Sequence, residues 1–350
     1  MRARTASALG PTAAVLLLAG CATAPLPPPA PVSPELSFAD LPGWAQEDHL
    51  GALAAVRAAC RAARDALLAP VCARLRARPP AEEAEARAFL EANFRPEAVP
   101  GEGLLTAYFS PEYEARLQPE PPFTAPVRPR PAPPAGLAAG PPPDRAAIEA
   151  SPADDALAWM RPEDLFFLQI QGSGVLDLPD GRRLRATYAG SNGLPFVGIA
   201  KVMREEGLID DAGSSGEAIR AWLARRRGPE ADAVMRRNPR YVYFRLAPYD
   251  GSPPAGAAGA PLPPGRAAAA DPAWRRMGEL LWIDADAPAL AGAFPAYRRL
   301  VAALDVGSAI KGPVRLDLFM GVGDAAGREA GRVRHRLRLY RLSPRAEPAR

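Results

Sequence analysis

Only two histidines, His49 and His335, occur in the 350 residues, and they stand far apart in the sequence. No His-Glu-x-x-His helix and no Cys/His cluster can be assembled from them, which argues against a zinc hydrolase. Three cysteines are present, and neither Cys60 nor Cys72 has a neighbouring histidine to serve as the base of a catalytic thiol. No Gly-x-Ser-x-Gly elbow and no phosphate-cradling glycine loop occurs. Lysine is almost missing, with Lys201 and Lys311 the only two, so arginine carries the positive charge. The formal net charge is only +4, which makes no case for nucleic acid. Beyond the N-terminus no apolar run is long enough for a membrane span, and no internal repeat is visible. What remains is carboxylate chemistry.

What is present begins with a targeting signal. Arg2 and Arg4 form a basic start, Ala13 to Leu18 a short apolar run, and Leu18-Ala19-Gly20-Cys21 reads as a lipobox. In a bacterial lipoprotein residues 1–20 are removed and the Cys21 thiol is acylated, and several acyl chains give stable anchoring. Ala22, where an inner-membrane retention signal has Asp, points to the outer membrane, facing the periplasm. The Pro/Ala-rich stretch that follows, to about residue 38, is a tether. In so oxidising a compartment Cys60 and Cys72 either pair or stay as buried thiols, and both readings stand.

Asp48 to Arg76 carries Ala, Leu and Arg at helical spacing broken near Pro70, and predicts two short helices. Ala81 to Asn93 predicts a third, with its acidic residues early. Leu104 to Phe109 reads as a strand. Pro119 to Pro143 and Ser252 to Gly265 are dense in Pro and Gly and read as long loops. Leu165 to Ile170 and Arg183 to Tyr188, around Asp180-Gly181, predict a β-hairpin. Phe196 to Glu206 and Ser215 to Arg226 predict helices. Tyr241 to Arg245, Leu280 to Ile283, Arg298 to Leu304, Arg315 to Met320 and Arg336 to Leu342 predict short strands, the texture of a β-barrel.

Two aspartates stand out. Asp305 ends a strand at the Val306-Gly307 turn, and Asp317 sits inside the apolar run Leu316 to Met320. A carboxylate there is costly unless paired or protonated, and burial raises its pKa and suits it to proton donation. Taken alone, either residue equally fits a structural role as acceptor for turn amides.

The arrangement of motifs resembles the membrane-bound lytic transglycosylase A family, MltA, with its C-terminal three-aspartate (3D) domain. The matching elements are Leu105-Thr106-Ala107-Tyr108-Phe109, Phe166-Phe167-Leu168-Gln169-Ile170-Gln171-Gly172-Ser173-Gly174, Tyr188-Ala189-Gly190-Ser191-Asn192-Gly193, Asn238-Pro239-Arg240-Tyr241-Val242-Tyr243-Phe244, and the approach through Gly265-Arg266 to Asp271, Asp305 and Asp317. The resemblance implies a mainly β chain. A double-psi β-barrel with flanking N-terminal helices (residues 39–110 and 245–350) would carry an inserted second β-barrel (111–244), with a substrate groove between them. It implies an exolytic lytic transglycosylase that cleaves peptidoglycan between N-acetylmuramic acid and N-acetylglucosamine and leaves 1,6-anhydro ends. Asp317 would be acid then base, and Asp305 and Asp271 would tune or hold the site. Thr106, Tyr108, Gln169, Gln171, Gly172, Ser173, Tyr188, Asn192 and Gly193 would bind the glycan, although Tyr108 and both Gln also fit a packing role. No metal or organic cofactor is implied. The expected partners are glycan strands and the membrane reached through the lipid anchor, with the protein a monomer that works beside cell-wall synthesis or remodelling complexes. The competing readings are a hydrolytic muramidase and a non-catalytic peptidoglycan-binding lipoprotein.

Overall fold

The computed structural model describes residues 36–62, 66–132, 140–210, 213, 215–286 and 296–345, so Cys21 and the tether up to residue 35 lie outside the described residues. Three helices come first: α1 (His49–Ala62), α2 (Leu68–Ala77) and α3 (Glu83–Asn93). In α1 the buried positions Ala52, Leu53, Val56 and Ala59 recur at helical spacing and form one apolar face, which packs on the barrel described below. The break between α1 and α2 precedes Pro70, because Pro70 falls in the first turn of α2, where its missing N–H costs nothing. Cys60 and Cys72 form a disulfide that ties α1 to α2.

Strands β1 (Phe94–Ala98) and β2 (Gly103–Ser110) follow, and the chain returns to their sheet only with the C-terminal elements. These are β9 (Ala267–Ala270), β10 (Leu280–Ala285), β11 (Tyr297–Asp305), β12 (Arg315–Val322), α9 (Asp324–Ala330) and β13 (Arg334–Pro344). The sheet runs β1-β13-β10-β11-β9-β12-β2, and a further pairing of β13 with β2 closes six of its strands into a ring. Alternation along the strands gives two apolar faces. Leu105, Leu281, Ile283, Val301, Leu316, Leu318, Leu337 and Leu339 fill one core. Trp282, Leu300, Leu304 and Phe319 face outward under the N-terminal helices. The ring is held to those helices by a buried ion pair. Arg266 donates from both terminal nitrogens to Glu47 at 3.0 and 3.1 Å, and Leu300 N–H donates to the same carboxylate at 2.8 Å.

Between β2 and β9 lie β3 (Glu112–Glu114), β4 (Ala125–Val127), α4 (Arg145–Glu149), β5 (Ala158–Met160), α5 (Pro162–Gln171), β6 (Ser173–Asp177), β7 (Arg183–Ser191), α6 (Ile199–Glu205), α7 (Gly216–Arg225), α8 (Pro229–Met235) and β8 (Val242–Pro248). One sheet runs β3-β6-β7-β8 and another pairs β4 with β5. Backbone bonds join their edges. Phe244 on β8 donates to Arg128 O just past β4 at 2.9 Å, and Arg116 and Trp159 exchange bonds of 2.9 and 2.7 Å between the end of β3 and β5. The pairing therefore runs back to where it began, around a core of Met160, Leu168, Leu176, Ala186 and Phe244.

The sequence reading needs two corrections here. Leu165 to Ile170 is not the first strand of the hairpin but the body of α5; the strand that pairs with β7 around Asp180-Gly181 is β6. Pro162 in the first turn, Glu163 and Asp164 beside it and Gly172 at φ 81° after the last turn are helix-end signals, and they prevail over the apolar run. The loop from Pro119 to Pro143 contains the short strand β4.

The disulfide closes a short loop, which stabilises by about 2–3 kcal/mol through the entropy of the unfolded chain. Cys60→Ser should lower the urea-unfolding free energy by that amount. An unchanged midpoint would mean that the two thiols contribute only by packing.

Candidate active site

Register places the aspartates. On β12, Asp317 lies opposite Thr106 of β2 on one side and Ala269 of β9 on the other. Ala269 is opposite Asp305 of β11. A single cross-strand row thus runs Asp305, Ala269, Asp317, Thr106 and on to Arg334 of β13. Side chains directly opposite one another share a face, so Asp317 and Thr106 point away from the barrel interior together. The small methyl of Ala269 leaves room between the two acids.

Thr106 Oγ1 donates to Asp317 Oδ1. Burial pushes the Asp317 carboxyl above the ordinary aspartate value, and the charge of Asp305 adds to this; the Thr106 hydrogen bond and the Arg315 guanidinium pull the other way and do not prevail. A half-buried carboxyl that holds its proton more firmly than usual faces a cleft of about 200 Å³. Gln169 and Gln171 from α5, Gly172 just after it, Tyr188 from β7, Phe196 and Arg240 form the wall from the inserted segment. The stretch from Val306 to Ile310, between β11 and β12, forms the wall from the ring. Asp317 is the one acid among the described residues that line it.

The other two aspartates are occupied elsewhere. Asp305 accepts from Ala257 N–H and Val306 N–H through Oδ1, both at 2.9 Å, and from the Tyr108 hydroxyl through Oδ2 at 2.7 Å. Asp271 is buried and accepts from Gly312 N–H at 2.8 Å and Ala273 N–H at 3.1 Å, with Lys311 Nζ 3.8 Å away. Those backbone bonds, Gly312's first and Ala273's next, hold the Asp271 carboxyl below the ordinary aspartate value, with Lys311 assisting. Asp305 and Asp271 therefore fasten the two ends of the 306–312 segment that walls the cleft.

The sequence-predicted glycan residues divide into three groups. Gln169, Gln171, Gly172 and Tyr188 line the cleft. Gln169 is buried, donates to Val242 O at 3.0 Å and keeps its oxygen unpaired among the described residues. Tyr188 is 45% exposed, an open aromatic face. Thr106 and Tyr108 act on the two acids. The rest are joints. Asn192 spends its amide on Pro143 O, Pro239 O and Tyr241 N–H, each at 2.9 to 3.0 Å. Gly193 supplies a left-handed turn beside it. Ser173 Oγ reaches Ser110 Oγ at 3.4 Å, and Gln171 Oε1 accepts from Phe109 N–H at 3.3 Å, so the end of α5 is fastened to β2. Gly174 is needed for close approach, since a Cβ there would strike Leu168 and lie 3.0 Å from Pro111 O. Sequence reasoning missed Phe196 and the 306–310 wall; Arg240 was visible only within a longer motif.

The histidines are elsewhere. His49 Nδ1 meets Glu83 Oε1 at 2.6 Å, and His335 Nε2 meets Arg332 O at 3.1 Å. Among the described residues no group of three or more His, Cys, Asp or Glu is placed to hold a metal ion.

Comparison with known proteins agrees with this geometry. Residues 104–245 match the MltA specific insert domain, and residues 266–343 match the 3D domain. The membrane-bound lytic murein transglycosylase A of Vibrio cholerae is 32% identical over 259 residues, 71% of this chain and 67% of that protein. The Escherichia coli K12 protein of the same name is 35% identical over 188 residues, 51% of this chain and about half (49%) of that protein. Among solved structures, a membrane-bound lytic murein transglycosylase from Agrobacterium tumefaciens superposes with a TM-score of 0.75 at 34% identity, covering 89% of this chain and 97% of that one. E. coli MltA with bound chitohexaose gives 0.68 at 27% identity, covering 85% and 90%. The relatives' names associate them with a membrane, and among the described residues no helix is long and apolar enough to cross one. Two family models in chain order, on a ring that brings Asp317 to a cleft walled by the insert, establish that this chain belongs to the MltA family of lytic murein transglycosylases and acts on peptidoglycan.

Proposed function

We propose that the chain cleaves the β-1,4 bond between N-acetylmuramic acid and N-acetylglucosamine by an exolytic, water-free route, with Asp317 as the single catalytic residue. The observation that carries this reading is that Asp317 is the one acid among the described cleft-lining residues and holds its proton more firmly than an ordinary aspartate. Ordinary glycosidases need two carboxyl groups, one to protonate the leaving oxygen and one to attack or to activate water. Here the muramic acid supplies its own nucleophile. Protonated Asp317 gives its proton to the glycosidic oxygen as the bond from C1 to that oxygen breaks. The resulting carboxylate then takes the proton of the C6 hydroxyl as O6 bonds to C1, which closes the 1,6-anhydro ring and restores the acid. Attack from within the same sugar gains the proximity advantage.

Asp305 and Asp271 serve as positioning residues. They hold the 306–312 wall at both ends, and the charge of Asp305 helps to keep Asp317 protonated. Tyr188, Gln169 and Gln171 offer an aromatic face and amide groups to sugar rings and N-acetyl groups. Chitohexaose, which the E. coli relative binds, is a β-1,4-linked N-acetylglucosamine chain and supports the same cleft as the glycan site here. The units form as residues 39–110 with 245–350, and 111–244. The Cys21 anchor and Pro-rich tether place the enzyme, as a monomer, on the periplasmic side of the outer membrane beside cell-wall complexes.

Asp317→Asn should release no anhydro-muropeptides from isolated sacculi while still binding glycan. Near-wild-type release would refute the assignment, and reducing ends from the wild type would replace transglycosylation by hydrolysis. The acid must be protonated to begin the reaction, so kcat/KM should fall as pH rises through the folded-state value of Asp317. Thr106→Val removes a hydrogen bond that favours the ionised form, so this alkaline limb should move to higher pH; an unmoved limb would mean that another group titrates there. Stability carries the same sign. Because the folded value is raised, the carboxyl weakens the fold once pH exceeds the ordinary 3.8, the loss growing until the folded value is passed. The melting temperature of Asp317→Asn should therefore gain on the wild type between pH 3.5 and pH 7, and a constant difference would contradict the buried acid.

A further inference from the structure

A second groove, of about 490 Å³, adjoins the catalytic cleft, and Gln171 borders both. Its walls are Phe167 and the start of α7 on one side, and Phe109, α9 and the turn into β13 on the other. Two guanidinium groups on the ring side, Arg328 and Arg332, are exposed and make no ion pair or side-chain hydrogen bond among the described residues. Arg220, across the groove, is already neutralised by Asp164 at 2.7 Å. The same holds for the carboxylate Glu217 as for the two arginines: it is exposed at the rim without a partner, on the insert side, where its place in the first turn of α7 also suits the helix dipole. Asp324 is the other acid in the lining. The ring wall thus carries two free cations against one acid, a net positive charge, the insert wall carries a free anion at the rim, and apolar rings lie between.

We infer that this groove binds the peptide stem of the muramic acid held in the cleft, with Arg328 and Arg332 taking stem carboxylates and Glu217 facing a stem amine. The inference rests on the glycan-cleaving reading of the Asp317 cleft. A stem hanging from the lactyl group of muramic acid is a short peptide with several carboxylates and, where it carries a diamino acid, an amine. That charge pattern matches the groove. Distance allows it as well. Arg334, two residues beyond Arg332, closes the cross-strand row that contains Asp317, two strands away, or about 10 Å at ordinary strand spacing. A stem of a few residues spans that length, at about 3.3 Å per extended residue. Exposed arginine–carboxylate contacts are individually modest and screened by salt, so the groove would act as a selector between strands.

The test compares two substrates, peptide-bearing glycan strands and the same strands stripped by an amidase, which leaves a free lactyl carboxylate on each muramic acid. For the Arg328→Ala/Arg332→Ala double variant, kcat/KM should fall about tenfold on peptide-bearing strands at low salt and stay unchanged on stripped strands. The wild type's preference for peptide-bearing strands should fade as salt is raised. An equal fall on both substrates would overturn the proposal, because the arginines would then serve the glycan, the lactyl group or the fold. No change on either would overturn it too. A wild type that forms no anhydro ends from either substrate would instead refute the glycan-cleaving reading, and the stem site with it. Glu217→Gln provides the opposite arm: its loss should be confined to stems with a diamino acid, and a loss on stems lacking the amine would overturn that contact.

Discussion

The whole arrangement depends on the double pairing of β2. This strand precedes the insert, yet it lies between β12 and β13, parallel to one and antiparallel to the other. Without it the C-terminal strands form an open sheet with two unsatisfied edges. With it the ring closes, and Thr106 arrives beside Asp317 from 211 residues away. The same strand leads directly into the insert, and Phe109 and Ser110 at its end are bonded to Gln171 at the end of α5 and Ser173 at the start of β6. One strand therefore closes the barrel, tunes the acid and sets the opposite wall of the cleft.

The three aspartates show how backbone amides decide the role of a carboxylate. Asp305 and Asp271 each accept two backbone N–H bonds, which fix a turn, and at Asp271 they hold the carboxyl below the ordinary aspartate value. Asp317 accepts none among the described residues, only the Thr106 hydroxyl, so burial dominates and the neutral form gains. Chemically identical side chains, two of them at strand ends and one within a strand, are thus divided into two anchors and one acid by what the local backbone offers them.

Much of this was legible in the sequence, for reasons that vary by element. The α1 pattern of Ala, Leu and Val was clear because a single face is buried. The β12 run was clear because Leu316 and Leu318 fill the ring while Asp317 points out. Helix α5 was misread because its middle turns bury most of their circumference between two cores, which erases the helical period from Leu165 to Ile170. Strand β9 was invisible, since Ala267 to Ala270 has poor strand propensity and is extended because it pairs with β11 on one side and β12 on the other. Asn192 and Ser173 make bonds that no local pattern encodes: Asn192 holds the backbone at Pro239 and Tyr241, and Ser173 reaches Ser110 of β2.

Those joints bear on catalysis as much as the residues that face the cleft. Gly172 can end α5 because glycine adopts φ 81° without strain, and Gly174 lets β6 pass within contact of Pro111. A side chain at Gly174 would push α5 away from β2 and lengthen the Phe109–Gln171 contact, already 3.3 Å. The cleft would then widen, because that contact fastens Gln171, which lines it, to the strand whose Thr106 bonds Asp317. Water would enter beside Asp317, the burial that holds its proton would weaken, and its carboxyl would drift back toward the ordinary value. Gly174, which is not among the described residues that line the cleft, therefore bears on the acidity of a residue on another strand, through the width of the gap between the cleft's walls.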